Sequence, residues 1–297
     1  MKTKLTGIIL LLFSLSGCVK ETLDKCPEGN ISIQVYAEKF RTNSEAPTQD
    51  SEPQIDLRIR TLHCVLYKDD VYVSDTLIDN LSTGNASYYP IDFNKLPFGN
   101  YKLMLIGNAP AAALQGDYHQ WGDLKLLYSD PDHTNDLFAA LLPFTVDCNC
   151  TTHLQTKLRR LLGVVKCEFK NLPQEVSEVE VILHHVNSRL EKGGAYTQPT
   201  SISKRVATGN PSSSDPLDIL LGTFPPDPST PAAYELKLYT PGKEAPFFSQ
   251  IISERIPIYR NQLTELITEI SDGKIHFMIR LDTAWDDYID GGEIEIN

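Results

Sequence analysis

The stretch Ile31-Ser32-Ile33-Gln34-Val35-Tyr36 alternates apolar and polar side chains. A period of two places all the apolar side chains on one face of a β-strand, where they can be buried together. Comparable strand-like runs occur at residues 101–106, 165–169 and 275–281. We therefore predict a chain built mainly from strands that each bury one face.

The segments between these strands favour an all-β fold. Asp69-Asp70 separates two strand-like runs and predicts a hairpin turn. The 19 Pro and 17 Gly fall mostly between strands. Residues 121–128 and 136–142 could each form only one or two helical turns. These features predict β-sandwiches with antiparallel sheets.

The length of 297 residues is enough for two domains of about 150 residues each. We predict a signal peptide at residues 1–17, a tether at 18–29, an N-terminal β-sandwich at 30–155 and a C-terminal β-sandwich at 156–297. Two stretches rich in polar residues, proline or glycine, residues 187–216 and 222–231, are expected to be surface loops.

The first residues are typical of a bacterial export signal. Lys2 and Lys4 precede a short apolar run, which is too short to span a bilayer permanently. Leu15-Ser16-Gly17-Cys18 resembles the lipobox of bacterial lipoproteins, in which the cysteine is acylated after cleavage. Cys18 is therefore the predicted lipidation site. The alternative is a secretory signal whose cleavage site merely lies near a cysteine.

The net charge of −12 argues against nucleic acid as a partner. Cleavage before Cys18 would remove two lysines and no acidic residue, which leaves −14. Attraction to anionic lipid is then unfavourable, so acyl chains must hold the protein on the membrane. We expect a chain that is lipid-anchored in the outer membrane and exposed at the cell surface.

The other cysteines give no evidence of catalysis. Five remain, an odd number that cannot all pair within one chain: Cys26, Cys64, Cys148, Cys150 and Cys167. Cys148-Asn149-Cys150 could suggest a metal or redox pair, but thiols at strand ends or a local bridge fit it better. Cys64 and Cys167 lie in apolar runs and are expected to be buried.

The sequence contains no nucleophile elbow, phosphate-binding glycine loop or zinc-binding helix motif. His184 and His185 are adjacent on a predicted strand, so they should point to opposite faces and not share a metal. Acidic residues could supply a glycosidase pair, but nothing indicates which two would face each other. We expect no enzymatic activity, no cofactor and no metal site.

The carboxyl end is acidic and aromatic. Residues 282–297 hold six acids and no Lys or Arg, which favours a solvated loop that leads into a short edge strand. The alternative function is the binding of a surface polysaccharide. Its candidate stacking residues are Trp121, Trp285, Tyr88 and Tyr89.

Several short motifs follow one another in an order typical of one family. They are residues 18–27, Leu96-Pro97-Phe98-Gly99-Asn100-Tyr101, Asp136-Leu137-Phe138, Phe144-Thr145-Val146, residues 158–173, Arg260-Asn261-Gln262-Leu263-Thr264 and Trp285. In this order they resemble the fimbrillin-associated anchor (FimB-like) lipoproteins of Bacteroides-type bacteria. The resemblance covers nearly the whole chain after Cys18.

This resemblance implies two tandem transthyretin-like β-sandwiches. It also implies a role as the anchor or a minor subunit of a surface fimbria, with shaft or accessory subunits as partners. Such subunits join by β-strand addition, in which an extended segment of a neighbour pairs with an open sheet edge. The sequence does not show which strand is donated or received.

Overall fold

The computed structural model of the chain describes residues 28–38, 59–84, 86–123, 125–128, 136–147, 151–192, 194–209, 216–271, 274–281 and 288–295. The strands before residue 161 are β1 (Glu28–Ala37), β2 (Thr61–Lys68), β3 (Val71–Asp79), β4 (Tyr89–Pro97), β5 (Gly99–Gly107), β6 (Leu114–Gln115), β7 (Lys125–Leu127), β8 (Phe138–Val146) and β9 (Thr151–Arg160). A short 3-10 turn occupies Ala111–Ala113.

The strands after residue 162 are β10 (Gly163–Lys170), β11 (Glu178–Glu191), β12 (Tyr196–Ala207), β13 (Leu217–Thr223), β14 (Ala232–Tyr239), β15 (Phe248–Ile256), β16 (Leu263–Ser271), β17 (Lys274–Leu281) and β18 (Tyr288–Glu295). The predicted all-β class is confirmed.

The first sandwich has seven strands in the order β3-β2-β5-β8-β9-β1-β4. The β4-β1-β9 part packs on the β3-β2-β5-β8 part, and the two are joined where β8 meets the end of β9. Ile31, Ile33 and Val35 are at most 2% exposed and face β2 and β5 residues in one core. The alternation in β1 therefore predicted the buried face correctly.

The second sandwich has one sheet in the order β13-β10-β16-β17-β18 and a second that contains β15-β14-β11, with β12 beside β11. Their facing side chains form a second core, which includes Phe169, Leu183, Tyr234 and Phe277. β9 spans residue 155 and pairs with β1, so the chain passes to the second sandwich at Leu161-Leu162.

The two sandwiches share one strand arrangement. In the first sandwich, β1 pairs antiparallel with β4 and parallel with β9. In the second, β10 pairs antiparallel with β13 and parallel with β16. The opposite sheets correspond in the same way, β3-β2-β5-β8 to β12-β11-β14-β15. β17 and β18 have no counterpart in the first sandwich among the described residues.

The segment between β5 and β8 links the two sandwiches. It covers the outer face of β2 and β5 and then, through β7, pairs with β11 at residues 189–191. A third apolar cluster lies beneath it. The cluster combines Tyr67 and Met104 of the first sandwich, Leu126 and Tyr128 of the segment, and Phe224 of the second sandwich.

Three local predictions were wrong. Residues 136–142 are mostly strand β8, because the apolar strand β5 offers a ladder of backbone partners that outweighs weak helical preference. Residues 121–128 contain strand β7, and the part of this range that the structure describes holds no helix. Residues 187–216 are largely β11 and β12, because Ser and Thr pair well on a sheet when a long partner strand is available. The predicted hairpin at Asp69-Asp70 is confirmed, with β2 and β3 on either side.

Candidate functional site

The C-terminal strands cover the outer edge of the second sandwich. β17 pairs with β16 from Thr264 to Ser271, and β18 pairs with β17. Three inward side chains of β17, Ile275, Phe277 and Ile279, are at most 3% exposed and complete the second core. These appended strands therefore leave β16 with a partner on both sides.

The corresponding edge of the first sandwich, formed by β9, is largely uncovered by the described strands. β9 pairs with β1 over residues 151–158, but with β8 only at Arg159 and Arg160. Leu158 O accepts a hydrogen bond from Glu38 N, so residues 152, 154, 156 and 158 direct their backbone groups toward β1. The backbone groups of His153 and Gln155 point away from β1, and none of the strands that the structure describes pairs with them. Such an edge can accept an added strand.

The aromatic side chains predicted from the sequence do not form one surface. Trp121 packs edge-on against Tyr67, and the ammonium groups of Lys102 and Lys192 lie 4.7 and 4.8 Å from its ring centre. Tyr89 packs against the first core, so its neighbour Tyr88 lies on the outer face of the β4-β1-β9 sheet. Trp121 covers the opposite sheet of that sandwich. Trp285 and Cys18 lie outside the described residues.

Tyr88 is part of a polar and aromatic patch on the outer face of β4-β1-β9. Its ring centre lies 5.7 Å from that of Tyr36. Gln34 Oε1 accepts hydrogen bonds from Tyr36 OH at 2.9 Å and from Gln155 Nε2 at 3.0 Å. Tyr36, Gln155, Thr156 and Lys157 line a surface hollow of about 470 Å³. Sequence reasoning missed Tyr36, Gln34 and Gln155, although Gln34 and Tyr36 occupy the polar positions of the β1 alternation.

A charged contact connects the two sandwiches. Arg260, in the turn before β16, donates to both carboxylate oxygens of Glu38 at the end of β1, and also to Arg160 O at 2.8 Å. Burial alone would raise the pKa of Glu38, but the hydrogen bonds and charge of Arg260 outweigh it and hold the pKa below its usual value. The contact therefore favours one relative orientation of the two sandwiches.

The other titratable side chains that were considered as site residues do not form a reactive group among the described residues. Cys64 and Cys167 are buried free thiols, and burial raises the pKa of Cys64 to about 12. His184 binds Glu235 and Ser201, each at 2.8 Å, whereas His185 is exposed. Within the described part of the chain, no group of three His, Cys, Asp or Glu could hold a metal ion. None of the described helices is long and apolar enough to cross a membrane.

No protein-family model matches the sequence, and no curated protein matches it. Solved structures match the fold. The fimbrial anchor protein Mfa2 of Porphyromonas gingivalis is similar at a TM-score of 0.55 and 10% identity, over 87% of this chain and 100% of that chain. A Bacteroides ovatus protein assigned as an adhesin is similar at 0.61 and 10% identity, over 89% of this chain and 96% of that chain.

A Bacteroides thetaiotaomicron protein assigned to polysaccharide binding is also similar, at a TM-score of 0.58 and 13% identity, over 89% of this chain and 98% of that chain. At these low identities the likeness establishes the fold. The chain therefore has the tandem β-sandwich fold that these fimbrial and adhesin proteins share, as the sequence resemblance predicted.

Proposed function

We propose that this chain is a fimbria-associated lipoprotein of the fimbrillin-associated anchor (FimB-like) family. Lipid on Cys18 holds it in the outer membrane at the cell surface, where it acts as the anchor or a minor subunit of a fimbria. Its role is adhesive and not enzymatic. Its partners are fimbrial shaft or accessory subunits, which it joins by β-strand addition. The fold shared with a fimbrial anchor protein supports this role.

The open edge of β9 is the observation that carries the proposal. In the second sandwich the equivalent edge of β16 is covered by β17 and β18, and β17 contributes Ile275, Phe277 and Ile279 to the core. The first sandwich has the same strand order, and no strand among the residues that the structure describes provides that cover. A strand from a neighbouring subunit would pair with β9 much as β17 pairs with β16, through main-chain hydrogen bonds.

The lipid is tested by Cys18→Ala in a bacterium that assembles the fimbria. The wild-type chain is expected in the membrane fraction with an acylated N-terminal Cys18, and the variant in the fraction released from membranes. Both should still co-purify with a shaft subunit in solution. Cys64→Ala is the matched control, because Cys64 is buried and should not change localisation. A mature chain that begins well after Cys18 without lipid would refute anchoring.

Strand addition at β9 is tested by two neighbouring prolines. His153→Pro removes an N–H that points away from β1, so the sandwich should fold while the shaft subunit no longer co-purifies. Leu154→Pro removes an N–H that points toward β1 and should destabilise the sandwich itself. His153→Ala should retain co-purification. If folded His153→Pro binds the shaft subunit as well as wild type does, β9 is not the receiving edge.

Polysaccharide binding is the second candidate function, and the patch around Tyr36 and Tyr88 favours it. Gln34 Nε2 and Gln155 Oε1 remain available as a donor and an acceptor beside the two aromatic rings. Sugar hydroxyls need paired donors and acceptors, and sugar rings pack on aromatic side chains. The similar Bacteroides thetaiotaomicron protein assigned to polysaccharide binding adds support.

A neutral oligosaccharide panel, titrated by calorimetry or NMR, tests the second candidate. Tyr36→Ala should weaken binding roughly fivefold, as expected for a lost aromatic contact of about 1 kcal/mol. Gln155→Ala should weaken it as well. Tyr259→Ala removes a tyrosine that is 54% exposed elsewhere and should have no effect. The absence of saturable binding to every member of the panel would refute this function.

A further inference from the structure

A cleft of about 380 Å³ lies between the two sandwiches. One wall comes from β5, β8 and β9 of the first sandwich, and the other comes from the hairpin end of β11 and β12. β7 and Leu161 lie between the walls. The volume falls within the range of pockets that hold small ligands, roughly 300–1,000 Å³.

The interior of the cleft is apolar. Met104, Leu126 and Leu161 are at most 8% exposed, while Leu190 is half-buried beside them. Ala139 is the cross-strand neighbour of Arg159, and both line the cleft. Because alanine is small, its position leaves room between the walls. An apolar chain could fill this space without leaving a buried polar group unpaired.

The rim of the cleft is positively charged, although the whole chain carries −12. Arg159, Lys192 and Arg260 line it, with Glu191 as the acidic residue among the lining side chains. Arg260 already binds Glu38, and Glu191 lies 3.9 Å from Arg189. Arg159 is exposed, its charge acts on Glu38 only at a distance, and no salt bridge joins it to another residue that the structure describes. Its guanidinium is therefore available for an anion at the mouth of an apolar space.

We propose that this cleft is a binding site for an aliphatic monocarboxylate, with the carboxylate on Arg159 and the hydrocarbon chain between Met104, Leu126 and Leu190. If each methylene fills the ~30 Å³ of one water molecule, a cleft of this volume holds roughly a dozen carbons. Nothing in the fimbrial role requires this site, so it stands independently of the proposed function.

A chain-length series tests the apolar part of the site. Hexanoate, octanoate, decanoate and dodecanoate would be titrated into the intact protein by calorimetry, below their micellar concentrations. Affinity should rise about fourfold per added methylene, the value that corresponds to ~0.8 kcal/mol of burial, and level off near a dozen carbons. No saturable binding of dodecanoate, or affinity that does not depend on chain length, would overturn the proposal.

Substitutions separate the contribution of the Arg159 charge from that of the cleft volume. Arg159→Gln should weaken dodecanoate binding at least tenfold, while Arg255→Gln, at an exposed arginine on β15, should have no effect. Ala139→Phe should fill the cleft and block binding, and Leu190→Trp provides a second filling variant if the first does not fold. Dodecyl maltoside, which lacks the carboxylate, should bind at least tenfold more weakly. Equal binding by the neutral amphiphile or by Arg159→Gln would refute the carboxylate site.

Discussion

The two sandwiches have the same seven-strand arrangement but differ at the edge of one strand. In the second, β16 is covered by β17 and β18, whereas in the first, none of the described strands covers the equivalent strand β9 at His153 and Gln155. The same strand order therefore occurs once with its edge strand covered by added strands and once without such cover among the described residues. The difference lies mainly in β17 and β18, which follow the shared strands and cover β16.

The largest expected effect concerns the added strands. Phe277 is 2% exposed and its ring centre lies 5.5 Å from that of Tyr234. Phe277→Ala should lower the free energy of unfolding by about 3–5 kcal/mol, because it leaves a cavity in the second core. Leu154→Ala, on the open strand β9, should cost about 1–2 kcal/mol because Leu154 is half-buried. Urea denaturation would measure both, and equal costs would contradict the comparison.

Labelling of the two buried thiols would show which sandwich is destabilised by Phe277→Ala. Cys64 lies on β2 of the first sandwich and Cys167 on β10 of the second, and both are buried. At pH 8 a native thiol whose pKa is raised by burial reacts slowly, so labelling reports opening. Phe277→Ala should accelerate the labelling of Cys167 more than that of Cys64, as measured by peptide mass mapping. Equal acceleration would mean that the two sandwiches open together.

A smaller effect is expected at the charged contact between the sandwiches. Arg260→Gln removes the cation that binds the half-buried Glu38 carboxylate and leaves only the more distant charge of Arg159, so it should lower the free energy of unfolding by about 1–2 kcal/mol at pH 7. Arg255→Gln, at an exposed arginine, should change it by less than about 0.5 kcal/mol. An unchanged urea midpoint in Arg260→Gln would show that the contact contributes nothing to stability.

The same contact should depend on pH. The pKa of Glu38 in the folded chain lies below its ordinary value of 4.5. Its ionised form therefore adds stability above that pH, and this stability is lost as the pH falls through the folded pKa. The difference between wild type and Arg260→Gln should shrink below pH 4.5. A difference that stays constant from pH 7 to pH 3 would refute the linkage.

The smallest expected effect concerns hairpin turns. Asp69 and Asp70 have φ angles of 49° and 66°, whereas the β11–β12 hairpin has Gly194 at 83°. Asp69→Gly should relieve the cost of a positive φ and raise the free energy of unfolding, by at most about 1 kcal/mol. Thermal denaturation would measure the change. A loss of stability would mean that the Asp69 side chain stabilises the turn.

The sequence predicted what depends on local alternation. Ile31, Ile33 and Val35 marked a buried face, and Asp69-Asp70 marked a turn. Strand β12 was missed because its Ser and Thr resemble a loop until β11 is present as a partner. The parallel β1–β9 and β10–β16 pairs were missed because a period of two does not record which strands are neighbours or in which direction they run.

The candidate sites were predictable only in part. Tyr88 was a candidate from its residue type, but Tyr36 and Gln155 become its neighbours only through the pairing of β1 with β4 and β9. The sequence motif that begins with Arg260 was recognised, but Glu38, its partner 222 residues away, was not. The cleft is formed by strands from both sandwiches, so no single stretch of sequence contains it.

In the first sandwich, the first strand, β1, pairs in parallel with the last strand, β9, and this pairing affects the rate of folding. β1 pairs with β9, and the paired residues Gln34 and Gln155 are separated by 121 positions in the sequence. The first sheet therefore cannot close until nearly the whole sandwich has been synthesised. Contacts of such long range make folding slow, in the millisecond to second range for comparable β-proteins. The first sandwich therefore stays unfolded until β9, which ends at Arg160, has left the ribosome.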